Sequence, residues 1–299
     1  MARKIASRQT AEERREQAAA LQASIAEQVD QLRDSEQWRR FLDFASSFHR
    51  YSLNNLLLIL DQRPTATRVA GFRQWQQRGR QVRKGERGIR IFGFAQKKVS
   101  DEEPAEGEHA ETNDAGERVV TYYPMLSVFD VDQTDPVDPD EPDPAAIARR
   151  LTGDDPLGIV DAVTDYLTAE GWQVTREPIA GATNGYTTTD GSRRVVIDCD
   201  LSPAHAAKTD LHEAAHVILH AGEDQAERVE HRGVEETEAE SVAYVVAGLL
   251  GLDTSAYSIG YVASWSDADT DTDAIRATAA RVLTGAHTLA DAITNPEVD

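Results

Sequence analysis

Two histidines four residues apart, with a glutamate directly after the first, are the groups in this chain best spaced for chemistry: His212-Glu213-Ala214-Ala215-His216. On a helix, positions i and i+4 share a face, so both imidazoles can point at one ion. That arrangement suits Zn²⁺, which takes histidine nitrogen in tetrahedral sites. Glu213 is beside the ion without being a ligand, placed to take a proton from a water held there. The flanks predict the helix. Ser202 can cap it, Pro203 fills a first position where its missing N–H costs nothing, and Leu211, Val217 and Leu219 supply apolar packing.

Two nitrogens do not fill a tetrahedral site, so a third ligand is required. The run from Glu235 to Gly251 reads as a second amphipathic helix closed by its glycine. Glu236 and Glu240 again stand at i and i+4, followed by small Ala243 and Ala247, so this face can approach another helix closely. Glu236 is the natural third ligand and Glu240 the carboxylate that orients a histidine. The step from His216 to Glu236 resembles that of thermolysin-like gluzincins, while Glu238 falls on another face and is expected in solvent. A third histidine, His220, is a full turn beyond His216. No glycine intervenes to swing it back to the metal, so it is expected to be packed or hydrogen-bonded.

The elements around these residues follow from composition and pattern. At 299 residues the chain can hold two domains. A formal net charge of −21 and a pI near 4.7 exclude a uniformly basic nucleic-acid binder, though a local patch can oppose the average. A single cysteine allows no intrachain disulfide, and there is neither a signal-like start nor an apolar run long enough for a membrane; together these point to the cytoplasm. Helices are expected over residues 10–33, from Ser35 with Trp38, Phe41, Phe44 and Phe48 as an aromatic core stripe, and from Ser52 to Pro64. In the second half, a helix through Ile159, Val163 and Leu167 leads to a strand after Gly171. A hairpin of residues 185–189 and 193–197 follows, then the histidine helix. Two further helical segments, 272–283 and 288–293, close the chain.

Between Arg68 and Lys98 stand ten cations against one acid, Glu86. Arg73, Arg78, Arg80, Arg83, Lys84 and Arg87 are interleaved with Phe72, Trp75, Phe92 and Phe94. Cations pair with phosphates and exposed aromatic rings stack on unpaired bases, a combination suited to single-stranded DNA with Trp75 as one stacking ring. The alternative is a solvated strand face paired with the acidic tract that follows.

Four ordered blocks carry a resemblance. They are residues 51–60, Val69-Ala70-Gly71-Phe72-Arg73-Gln74-Trp75, Gly79 through Ile89, and Val128-Phe129-Asp130-Val131-Asp132-Gln133-Thr134. They resemble the N-terminal domain of the ArdC antirestriction family, in which a single-stranded-DNA-binding domain precedes a zinc-peptidase-like domain similar to ImmA/IrrE-type metallopeptidases. The resemblance implies an α+β chain: a helical and β single-stranded-DNA-binding domain over 1–134, then a gluzincin-like HExxH metallopeptidase domain over 153–299. An acidic insertion at 101–118 and a Pro/Asp-rich linker at 135–152 set this sequence apart. The expected function is a single-stranded-DNA-binding zinc metalloendopeptidase that protects incoming DNA. Its ligands would be His212, His216 and Glu236, and Glu213 its catalytic base. Tyr186, His205, Tyr257 and Tyr261 are candidates for stabilising the oxyanion. Two alternatives stay open: a non-catalytic DNA shield with structural zinc, and a protease recruited by DNA to a DNA-bound protein or repressor. The oligomeric state has no signature in the sequence.

Overall fold

The computed structural model describes residues 11–48, 50–98, 110–112, 116, 118–137, 158–181, 183–222, 225–252 and 271–294. The elements run α1 Ala11–Gln31, α2 Ser35–Ala45, α3 Leu53–Gln62, β1 Val69–Gly71, α4 Phe72–Gln77, β2 Arg80–Val82, β3 Ile89–Phe92, β4 Ala95–Lys98, β5 Ala110–Thr112, β6 Arg118–Tyr122, β7 Met125–Asp130, a single 3₁₀ turn Val131–Gln133, and β8 Thr134–Pro136. They continue with α5 Ile159–Ala169, β9 Gln173–Glu177, β10 Gly185–Thr187, β11 Arg194–Asp198, α6 Pro203–His220, α7 Gln225–Leu249 and α8 Thr272–Thr294. The chain is α+β, as expected. No helix among the described residues is long and apolar enough to cross a membrane. Residues 138–152 of the linker and most of the acidic insertion fall outside the described residues, as do Tyr257 and Tyr261.

Contacts divide the chain into two compact units: residues 1–26 with 57–143, and residues 27–56 with 144–299. The sequence suggested one boundary after residue 134. Instead, residues 27–56 join the second half, because the aromatic stripe of α2 finds its partner there. The Trp38 indole donates to Ser241 Oγ on α7 at 3.3 Å, and Tyr244 of α7 bonds Asp43. Trp38, Phe41, Phe44 and Phe48 are all buried, which is the core role their spacing implied. Gly248 is required at this contact, since a Cβ there would lie 2.4 Å from that of Ser46.

In the first unit, three antiparallel sheets have orders β1-β7-β3, β4-β6-β5 and β2-β8. Trp75 is fully buried beside Ala70 and Val82, with Phe129 and Val131 packed against them. The Asp130 side chain, also fully buried, accepts from the backbone N–H groups of Thr67, Arg68 and Asp132. Gln133 donates to Glu86 and to the Arg87 carbonyl. The Val128–Thr134 block is therefore a polar knot that fixes the loop 83–88.

In the second unit, α6 packs on α7, α5, α8 and the sheet β10-β11-β9. Strand β11 is the central strand, buried at Val195, Val196 and Ile197, with α6 packed on it and α5 on its neighbour β9. The two C-terminal segments expected from sequence are one helix, α8. Gly285, between the two expected segments, lies where Leu219 and Val242 approach to 3.1 and 3.2 Å of the position a Cβ would take.

Candidate metal centre and nucleic-acid interface

The metal motif lies on α6, capped by the Ser202 side chain accepting from His205 N–H, with Pro203 at its start. Helix α7 brings its carboxylates against that face and closes as expected at Gly251, whose φ is +78°; Leu252 N–H reaches back to the Ala247 carbonyl at 2.8 Å. His212 Nε2 and His216 Nε2 are 3.1 Å apart, and Glu236 Oε2 is 3.5 and 3.8 Å from them. A tetrahedral zinc with bonds of about 2.0–2.1 Å separates its nitrogen ligands by roughly 3.3 Å. Three lone-pair donors thus face one point at the spacing a small cation needs.

Electrostatics agree. Burial lowers the His212 pKa, but its bonds to Glu236 and Glu240 overcome this and lift it to about 9. Glu236 is held well below the usual carboxylate range by His212 and then His216. The spot favours positive charge, a proton in the bare protein and a metal cation in the loaded one. His216 Nδ1 is buried with no hydrogen-bond partner among the described residues.

Around the donors the structure adds residues that spacing alone did not expose. Glu240 Oε2 lies 3.2 Å from His212 Nδ1, in the orienting role expected of it, and Lys208 Nζ lies 3.1 Å from Glu240 Oε1. Burial opposes the ionisation of Glu240, yet His212 and Lys208 prevail and lower its pKa. Thr187 Oγ1 donates to Glu213 Oε2 at 2.8 Å, while burial raises the Glu213 pKa as a proton acceptor requires. The alternation of Gly185, Tyr186 and Thr187 along β10 held this information. Gly185 and Thr187 face α6, so Tyr186, exposed on the opposite side, is not aimed at the donors. His205, paired with Asn184 at 3.2 Å, lines a cavity of about 220 Å³ with Lys208, His212 and Glu213. A second cavity of about 470 Å³ runs past His216 along Thr187–Thr189. Glu238, expected in solvent, is instead buried: it lies 3.3 Å from Arg281 and 3.7 Å from His220. His220 is itself fully buried and bonded to Arg281, a structural role.

On the first unit, the expected DNA-contacting residues separate into three groups. Trp75 is corrected: its ring is in the core, and its N–H donates to the Phe129 carbonyl at 2.8 Å, so it has no face to offer a base. Arg80 and Arg83 are engaged inside the unit. Arg80 bonds Thr134, while Arg83 pairs with Glu86 and Asp135 at 3.1 and 3.2 Å and with the Asp132 carbonyl. Arg73, Lys84 and Arg87 are exposed, and Arg78 lies over the Trp75 ring at 5.5 Å. The exposed rings are others: Phe72, Phe94, Tyr122 and Tyr123.

Residues 15–131 match the family model described as the N-terminal domain of anti-restriction factor ArdC. This segment is similar to that domain. An uncharacterized protein of Bacillus anthracis is 24% identical over 259 residues, covering 75% of this chain and 42% of that protein; the chain thus spans less than half of this relative's length. In space, the chain aligns with the metal-free crystal structure of the antirestriction ArdC protein from the R388 plasmid at a TM-score of 0.47 and 21% identity, over 82% of this chain and 86% of that one. For the Mn(II)-bound structure of that protein the TM-score is 0.48, again at 21% identity, over 83% and 90%. The ArdC family match ends at residue 131, so the metal centre is read from its own geometry.

Proposed function

We propose that the chain is a metal-dependent peptidase joined to a single-stranded-DNA-binding ArdC-type domain, serving to protect incoming DNA. The observation that carries the enzymatic half is the convergence of His212, His216 and Glu236 within 3.8 Å, with a buried Glu213 beside them. The donor set, two imidazoles and a carboxylate, fits zinc in an open catalytic site. A Zn²⁺ held there supplies Lewis acidity toward water and a substrate carbonyl. Glu213, kept basic by burial and oriented by Thr187, accepts the proton at a carboxylate oxygen and returns it to the leaving amine. Strand β10 is an edge of its sheet among the described residues, adjacent to Glu213, and suits an extended peptide held by backbone hydrogen bonds. His205 is the donor best placed in the lining to assist at the developing oxyanion. The DNA-binding half rests on the exposed cations of residues 73–87 and on the ArdC match.

Metal content of the purified protein and hydrolysis of a casein substrate, with and without single-stranded DNA, test the reading. Zinc near one equivalent is expected, with hydrolysis falling about 10²–10⁴-fold in Glu213→Gln while zinc and DNA are still bound. Absence of any bound divalent metal would refute the enzymatic half. If DNA protection survives Glu213→Gln intact, the non-catalytic shield is the correct reading. Stimulation of hydrolysis by DNA favours the DNA-recruited protease.

A further inference from the structure

Strands β3 and β4 together face β6 and β7 in one unbroken register: Phe92 lies opposite Met125 and Ala95 opposite Tyr122. Phe94 and Tyr123 therefore fall directly opposite one another between the two ladders. Their rings meet edge to face at 6.2 Å, yet they remain 68% and 64% exposed. Two exposed aromatic side chains held together by register are not a core that failed to close. Strand alternation explains the rest of the ribbon. One face carries Ile89, Ile91 and Val128 into the core. The opposite face shows Arg90, Phe92, Phe94 and Lys98 on one strand, with Ser127, Met125 and Tyr123 on the other, and is buried only at its far end, where Val119 stands opposite Lys98. Gly93 at the midpoint has no room for a side chain, since a Cβ would lie 2.5 Å from Leu126, so the ribbon's course past the rings is fixed.

At the Arg90 end this stripe runs into a cavity of about 660 Å³ bordered by Arg63, Arg87 and Arg90. Its acid, Glu86, is engaged by Gln133 and Arg83. One buried polar atom on the cavity's lining residues, Gln17 Oε1, has no hydrogen-bond partner among the described residues, while Arg63 Nε lies 3.6 Å from the buried Asp130 carboxylate. Guanidinium groups at one end, Lys98 at the other and rings between form a linear site. Successive same-face residues stand about 7 Å apart along a strand, leaving room for one base per ring.

We infer that the single strand lies along the outer face of this β3–β4/β6–β7 ribbon. Unpaired bases stack on Phe94 and Tyr123, and backbone phosphate enters the Arg63/Arg87/Arg90 cavity. Bases give an aromatic platform affinity without sequence preference, and phosphates account for the cations at both ends in a chain of net charge −21. The inference rests on the single-strand reading proposed above and gives it a location, one that residues 73–84 do not contain.

The test uses the full chain and a short fluorescein-labelled oligothymidylate in a salt titration. Phe94→Ala/Tyr123→Ala should weaken binding by about tenfold or more with an unchanged slope of log K against log salt. Its melting temperature should stay at the wild-type value because both rings are exposed. Phe94→Trp/Tyr123→Phe should bind as wild type. Arg87→Ala/Arg90→Ala should weaken binding and reduce the slope by about two. If the wild type binds and the aromatic double variant binds equally well, the location is wrong while the DNA reading stands. If the wild type does not bind, both fall. If the aromatic variant alters only sedimentation of the free protein, the stripe is a contact between copies and the inference is overturned.

Discussion

The two working surfaces of this chain are built on opposite principles. The metal centre draws its donors from two helices, each presenting residues at i and i+4, so short-range spacing already groups the side chains in pairs. The proposed nucleic-acid surface draws on the strand pairs β3–β7 and β4–β6, whose facing residues are about thirty positions apart, and only the register Phe92 to Met125 and Ala95 to Tyr122 brings them together. A helix records its function in local sequence. A ribbon records it in pairing, and the same residue types can equally be core or surface.

Trp75 and Phe94 put that contrast under the greatest strain. Trp75→Ala should destabilise the first unit by about 3–5 kcal/mol, the cost of emptying a fully buried aromatic site. Phe94→Ala should leave its melting temperature almost unchanged. Equal effects on stability would mean that the core and the surface have been exchanged. Next in size is Glu240→Ala, which frees His212 Nδ1 and strands Lys208. Metal affinity measured by competition with a chelator should drop about 10–100-fold. A full-strength site in that variant would show that the helix pairing, not the outer carboxylate, orients His212.

A smaller effect separates the cations. Lys84→Ala, outside the proposed ribbon, should leave the salt slope of DNA binding unchanged, whereas Arg87→Ala should lower it by about one. Arg83→Ala, which removes ion pairs at the surface, should leave the melting temperature nearly unchanged and the slope unchanged. The smallest effect is acid sensitivity in the 83–88 loop. The Gln133 amide, ahead of Arg83, holds the Glu86 carboxyl below its ordinary value. Its contribution is then present above the unfolded pKa of about 4.3 and is lost as pH falls through the lower folded value. The melting temperatures of wild type and Glu86→Gln should differ at neutral pH and converge in acid. A gap that persists below that range would assign the loop's stability to other contacts.

These contrasts explain which parts of the molecule were readable in advance. The helix of His212, its Ser202 cap, the aromatic stripe of α2 and the hairpin β10–β11 all follow from periodicities of 3.6 or 2, which local sterics impose on any chain. Thr187 escaped notice because its bond to Glu213 joins residues 26 positions apart. Glu238 was misjudged because solvent exposure on α7 depends on α8, which delivers Arg281 against it. Trp75 was misjudged because aromatic and cationic residues on one short segment suggest a surface. Its indole N–H instead found the Phe129 carbonyl on a strand more than fifty residues later.

By itself, the sequence determined the chemistry available here: two imidazoles and a carboxylate for a cation, a neighbouring proton acceptor, and a cationic stretch in an acidic chain. Tertiary structure decided which of those groups meet and which face water. It drew residues 27–56 into the unit that holds the metal donors, and it chose Phe94 and Tyr123 over Trp75 as the exposed rings. The physical reason is that intrinsic residue chemistry is local, whereas burial and strand register are settled by competition among distant partners for the same apolar surface and the same hydrogen bonds.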